Sequence, residues 1–309
     1  MRISLLEKRE DFYKLLCQTL LDWTPSKIQL KGYSACFLAN KYLNFIAHPD
    51  LPVSVFSNIV KEYSTSDRYW KSRIQKMYVI LAINNCFRKI LAHKTVLLPE
   101  HFSDYLILGG NHRLRLLSSN LKSTFIVIKN GESLTFIENE IIVKKSYNLT
   151  YAPKMISYGL NWLEEEYISG TPLNRIKSVY HKQIIINALI TAHNDSLLVP
   201  SKNLLPATVY LNKKHIDLTS KLFDGRLVLK PEVKQNIINT FMRLVHHVSI
   251  EIVPVGWTHG DFQQGNILVD NNNIFKVIDW EASERRFWLY DFFVLLSEIR
   301  SHGDIEIAF

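Results

Sequence analysis

Residues 258–281 read THGDFQQGNILVDNNNIFKVIDWE, and three of their side chains could do chemistry together. Asp261 and Asp279 are carboxylates, and Asn266 is an amide between them. Close by in sequence stand Phe262, Ile267, Leu268, Val277, Ile278 and Trp280, all residues that favour burial. NILVD and IFKVID read as two strands, with Asp270-Asn271-Asn272-Asn273 as the turn, because Asn and Asp tolerate the positive φ of a tight reversal. Such a hairpin brings its two open ends together. Asn266 and Asp279 then converge, with Asp261 beside them on the entering loop. An amide oxygen and a carboxylate at that separation are hard ligands for Mg2+ and leave coordination places for phosphate oxygens. Asp261 can then orient and deprotonate a hydroxyl. Phosphoryl transfer needs this division of labour, since positioning and charge neutralisation dominate it. A surface turn with scattered acids fits less well, because acids at the edge of a core usually have a task.

The rest of the chain must position these groups. At 309 residues and 47% apolar composition it can bury a sizeable core in two or three structural units. With 21% charged residues it is an ordinary globular chain. No apolar run approaches the roughly 18 residues that span a bilayer. The start, MRISLLEKREDF, lacks the apolar core of a signal peptide, so a cytosolic location is expected. Cys17, Cys36 and Cys86 have no metal-site spacing and read as reduced, mostly buried thiols.

Three regions follow from periodicity. Residues 1–100 read as a helical unit, with Leu5, Phe12, Leu15, Leu16 and Leu20 on one stripe and a long buried helix with basic ends over 67–94. LPEHFSD (98–104) marks a boundary. Residues 101–170 read as an antiparallel β-rich unit, with strands in YLILGGNHRLRLLSS, STFIVIKNG and MISYGLNWLEEEYISGTPL and a short helix over 138–148. Residues 171–309 read as mostly helical, with helices over 182–195 and 230–248 and the one hairpin. The class is α+β.

HGDFQQGNILV followed by VIDWE resembles the catalytic and metal-binding segments of the aminoglycoside phosphotransferase and choline kinase group. Those are small-molecule kinases with a two-lobed, protein-kinase-like fold. The resemblance covers about residues 105–300, and QQGN with the step from Glu281 to Asp291 is most like the choline kinase branch. It implies ATP and Mg2+ as cofactors, Asp261 as catalytic base, His259 as a brace for the loop, and Asn266 and Asp279 as metal ligands. Asp291 falls where the group ties down its catalytic loop. Gly109 and Gly110 would form a turn over the phosphates, and Lys129 would reach them from the third strand. A helix carboxylate should pair with that lysine. Glu138 and Glu140 are the candidates, and Glu138 is preferred because Ile141 and Ile142 follow it. The adenine would meet hinge backbone near Glu166 and Ile168. His193, in ALITAHND, ends a helix that resembles the first of the large lobe.

The acceptor is less defined. Only residues 292–309 follow Asp291, so the acceptor pocket is expected from 171–250 and from the front unit. Residues 1–100 hold 15 Lys/Arg against 8 Asp/Glu, a balance of +7, while residues 101–309 hold 22 against 21. A basic front suits an anionic glycan, glycolipid or membrane surface at the inner face, and argues against a polycationic aminoglycoside. A choline-like amino alcohol would suit an aromatic cage, for which Trp280, Trp288 and Tyr290 are the nearby residues. A non-catalytic kinase-fold binder is the contrasting class. Nucleic acid has no motif in its favour.

Overall fold

The computed structural model describes residues 9–23, 34–56, 69–110, 112–223, 229–247 and 249–297. Its largest feature is an eight-stranded antiparallel sheet. The strands are β1 (Ser34–Asn40), β2 (Phe45–Ala47), β3 (Lys94–Pro99), β4 (Tyr105–Gly109), β5 (Arg113–Ser118), β6 (Ser123–Ile128), β7 (Met155–Tyr158) and β8 (Trp162–Glu166). Their order is β3-β1-β2-β4-β5-β6-β8-β7.

This order corrects the reading of the first hundred residues as a helical unit. They contribute α1 (Arg9–Asp22), α2 (Tyr69–Ile83) and α3 (Asn85–Leu91), but also three strands that continue the β-rich unit across the expected boundary. The long helix expected over 67–94 breaks at Asn84, whose side chain accepts from the Cys86 N–H at 3.0 Å and starts α3. The chain then leaves α3 for β3. Only part of α2 is buried: Val79, Ala82 and Ile83 face the core, while Trp70 and Ile74 are 73% and 62% exposed. Cys36 and Cys86 are exposed free thiols and Cys17 is partly buried, so the expected burial fails for two of three.

Strand register divides the sheet into two faces. On the outer face Phe37, Ala39, Ile46, Val96, Leu98, Ile107, Leu114, Leu116, Phe125 and Val127 form one core with Leu16 and Leu20 of α1 and with Trp23. On the inner face the front third packs against α2 through Phe45 and Leu106. The rear packs against α4 (Thr135–Ser146), where Ile126, Ile128 and Leu163 meet Ile137. Between them the inner face presents Leu108, Arg115, Leu117 and Thr124 to a cavity. Arg113 shares that face by register.

The chain leaves β8 through residues 167–170 into β9 (Thr171–Pro172), which pairs with the hairpin strand β12 (Ile267–Val269). The helical lobe contains α5 (Val179–His193), α6 (Ala207–Phe223), α7 (Pro231–His246) and α8 (Tyr290–Ser297). It also holds a small sheet of β10 (Asn203–Pro206), β11 (Ile252–Thr258) and β14 (Glu284–Phe287). A β-rich lobe with α4 packed on its inner face, a short linker and a helical lobe carrying a hairpin is the protein-kinase-like arrangement. Among the described residues no helix is long and apolar enough to cross a membrane.

Candidate active site

The hairpin forms where its sequence predicts. Ile267 pairs with Val277, Leu268 with Lys276 and Val269 with Phe275 in β13 (Phe275–Val277). Asp270 closes the turn: its Oδ1 accepts from the N–H groups of Asn272 and Ile274, and Asn273 takes φ 64°. Phe262, Ile267, Val269, Val277 and Trp280 are all buried, in one core with Ile185, Ile186 and Leu189 of α5. Each such side chain contributes roughly 1.5–3 kcal/mol on burial, so the loop between them is firmly anchored.

The open ends meet as expected. The Ile278 N–H donates to the Asn266 carbonyl at 2.9 Å, placing Asp279 next to Asn266. Asn266 Nδ2 donates to the Asp261 carbonyl at 2.9 Å and to Asp261 Oδ2 at 3.1 Å. Gln263 Nε2 donates to the same Oδ2 at 3.1 Å. Asp279 itself is left-handed, with φ 71° and ψ 53°. That conformation is uncommon for a non-glycine residue and recurs where a side chain must be aimed.

The loop bearing Asp261 is held from below by one carboxylate. Asp291 is fully buried at the start of α8. It accepts from the His259 N–H at 2.6 Å and the Gly260 N–H at 2.9 Å. It also pairs with His193 Nε2 at 2.9 Å. Burial opposes its charge, but these partners hold it below the ordinary carboxylate value. The far side of His193 meets the Tyr151 hydroxyl at 2.9 Å. Burial keeps that phenol protonated, so Tyr151 and Asp291 hold the His193 ring from both of its nitrogens. His259 is buried too, and burial lowers its pKa. Its Nδ1 accepts from the Asp261 N–H at 3.2 Å, and its Nε2 therefore donates to the Ile278 carbonyl at 3.0 Å. His259 thus ties the catalytic loop to the hairpin's return strand as a neutral imidazole. Gly260 is required beside it. Its φ is +83°, and a Cβ there would lie 2.2 Å from the Ala282 carbonyl oxygen.

A cavity of about 350 Å³ opens between the lobes. Its walls include Glu166 and Ile168 of the hinge, Asn266 and Asp279 of the hairpin ends, and Arg115, Leu117 and Thr124 of the sheet. Among the described residues no three of His, Cys, Asp or Glu converge to hold a metal. A pair of oxygen ligands beside an arginine is instead a donor set that leaves coordination places for phosphate oxygens.

The structure departs from the remaining sequence expectations in four places. Glu138 is exposed on α4, whereas Glu140 is buried and pairs with Arg113 and with Lys144 at 2.7 Å. The carboxylate's partner on the sheet is therefore an arginine of β5. Lys129 is 6% exposed just past β6 and lies outside the described cavity wall. Burial lowers its pKa, against the pull of Glu132 and Glu281. The N–H groups of Gly109 and Gly110 are committed within the sheet, to the Asn44 carbonyl at 3.2 Å and the Arg113 carbonyl at 2.9 Å. They have no N–H to spare for phosphates in this conformation. Trp280 is in the core, Lys202 lies 4.7 Å over Trp288, and Arg286 lies 5.1 Å from the Tyr290 ring centre. The three aromatics do not form a cage, and two of them already stack with the protein's own cations.

Sequence reasoning missed Arg113 and Arg115. Arg113 pairs with Asp279 at 2.5 Å and Glu281 at 2.9 Å, and Arg115 reaches Asp279 at 2.8 Å. Burial opposes the Asp279 charge, but Arg115 and Arg113 hold its carboxyl well below the usual range. The signal was the alternation in RLRLL, which puts two arginines on one face of a strand whose other face is leucine.

Residues 218–308 match the family model described as "Phosphotransferase enzyme family". The matched segment includes the Asp261 loop and the hairpin. Solved phosphotransferase structures are similar to about two thirds of the chain at low identity. A streptomycin–ATP complex of the aminoglycoside phosphotransferase APH(2'')-IIa is 16% identical, with 61% of this chain and 69% of that chain covered and a TM-score of 0.42. A thermostable mutant of APH(4)-Ia is 16% identical over 67% of this chain and 80% of that one, with a TM-score of 0.47. The choline kinase LicA from Streptococcus pneumoniae is 17% identical over 65% of this chain and 70% of that one, with a TM-score of 0.43. Among curated proteins there is no match.

Proposed function

We propose that this protein is an ATP- and Mg2+-dependent kinase that phosphorylates a hydroxyl of a small molecule or sugar. The observation that carries this reading is that Asn266 and Asp279 line one cavity with the hinge residues Glu166 and Ile168, while Asn266 Nδ2 holds the Asp261 carboxylate beside it. Asp261 accepts the proton of the acceptor hydroxyl. Its Oδ2 is oriented for this by two amide donors, Gln263 and Asn266. Asn266 turns its nitrogen to Asp261, which leaves its oxygen with the Asp279 carboxylate as the metal-side pair. A bound Mg2+ would supply charge neutralisation at the transferring phosphate. Hinge backbone near Glu166 and Ile168 would meet the adenine. His259 and Asp291 touch no reactant and act by fixing the loop.

The acceptor we infer is a sugar or another neutral or anionic alcohol, such as a glycan or glycolipid. The +7 balance of residues 1–100 disfavours a polycation. The stacking of Trp288 and Tyr290 with Lys202 and Arg286 disfavours a quaternary-ammonium cage at those rings. A transfer assay with labelled ATP across sugars, choline and aminoglycosides tests both parts. Turnover by the wild type that disappears in Asp261→Ala and Asp279→Ala is expected. Equal, near-zero turnover in all three across the panel would make this a non-catalytic binder.

A further inference from the structure

We infer that Arg115, in place of Lys129, is the side chain that grips the nucleotide phosphates. The inference rests on the kinase reading and reassigns one of its contacts. Three observations carry it. First, β6 presents no cation to the cleft. Its inner-face residues are Thr124, which lines the cavity, and Ile126 and Ile128, both buried against α4, and Lys129 falls on the residue after the strand.

Second, Arg115 stands directly across the ladder from Ile126, on the inner face two residues along β5 from Arg113. It lines the same cavity as Asp279, Asn266 and the hinge residues Glu166 and Ile168.

Third, the two arginines of β5 differ in what they have left to give. Arg113 is 3% exposed and commits all three nitrogens to carboxylates, Nη1 to Glu140, Nη2 to Asp279 and Nε to Glu281. It is a structural cation that orients Asp279. Arg115 is 33% exposed and meets Asp279 through Nη2. It lines the cavity with solvent-accessible surface still open, and a planar guanidinium matches two phosphate oxygens at once, which an ammonium cannot do.

Calorimetric titration of ATP, ADP and adenosine, each with and without Mg2+, separates phosphate contacts from base contacts without any turnover. In Arg115→Ala, ATP and ADP should bind roughly 10- to 100-fold more weakly while adenosine stays within about twofold of wild type. Lys129→Ala should keep the wild-type ratio of ATP to adenosine affinity. Arg115→Lys retains the charge without the fork and should fall between, which also carries the test if the alanine variant fails to fold. Arg115 variants that keep the wild-type ratio, or a Lys129→Ala that alone removes it, overturn the inference while leaving the kinase reading in place. A wild type that binds neither ATP nor adenosine overturns the kinase reading and this inference with it.

Discussion

The Asp261 loop and the inner face of the sheet hold their acids in different ways. Asp291, under the loop, is satisfied mainly by backbone: two N–H groups, with the His193 ring as its one side-chain partner. Asp279 and Glu140, facing the sheet, are satisfied by cations: Arg113, Arg115 and Lys144. The first arrangement fixes geometry, because backbone amides cannot move without the loop. The second fixes charge, because removing either sign strands the other in a poorly solvated cleft. The cleft thus combines a rigidly bonded loop with an electrostatically balanced floor.

Substitutions can break the comparison at either end. The largest effect is expected for Asp261→Ala, which should lower kcat by about 1000-fold with ATP affinity retained, as read by transfer rate and titration together. Loss of affinity in step with rate would mean that the loop, and not the base alone, had failed. On the sheet side, Glu140→Ala strands Arg113 and Lys144 and should cost about 3–5 kcal/mol in urea unfolding. Under the loop, Asp291→Ala should cost about 3 kcal/mol, since two buried N–H groups and His193 lose their acceptor. Gly260→Ala meets both its positive φ and the Ala282 carbonyl, and a loss of about 2 kcal/mol is expected in the same measurement. A cost near zero for either loop variant would show that the platform is more compliant than its bonding suggests.

The smallest effect concerns pH. Asp291 is held below its ordinary value, so as pH falls the unfolded chain takes up this proton first. Its stabilisation is complete above its unfolded pKa, about 3.9, and is lost as pH drops through the lower folded value. Urea midpoints measured from neutral pH downward should therefore fall less steeply in acid for Asp291→Asn than for the wild type. They should not become flat, because Asp279 and Glu140 are depressed in the same direction by their arginine and lysine partners.

The two regions were unequally legible in sequence. Asp261, Asn266 and Asp279 lie within nineteen residues, so one local rule, that a hairpin brings its ends together, was enough to place them. The sheet's inner face draws on residues from 45 to 165, and its composition depends on register, which no short segment encodes. The lysine was sought on β6 by family analogy, while the cations sit one strand earlier. Glu138 was preferred over Glu140 from neighbouring isoleucines, but which side of α4 faces inward is set by Ile137, Glu140 and Val143 together. The front hundred residues misled for a related reason. CFLAN, FIA and TVLLP are too short to show a period of their own and become strands only by pairing with one another and with β4.

That pairing has a consequence for how the protein can be handled. A nucleotide lobe that began at β4 would present that strand's unpaired backbone to solvent, next to the outer core formed with Leu16, Leu20 and Trp23. β2, β1 and β3 cover it and move the open edge outward to β3, which begins with Lys94 and ends with Pro99. A charged residue and a proline are how natural sheets discourage chain-to-chain pairing. The front segment is therefore the guard of the sheet's edge, and a chain cut near residue 100 is expected to self-associate before its chemistry can be measured.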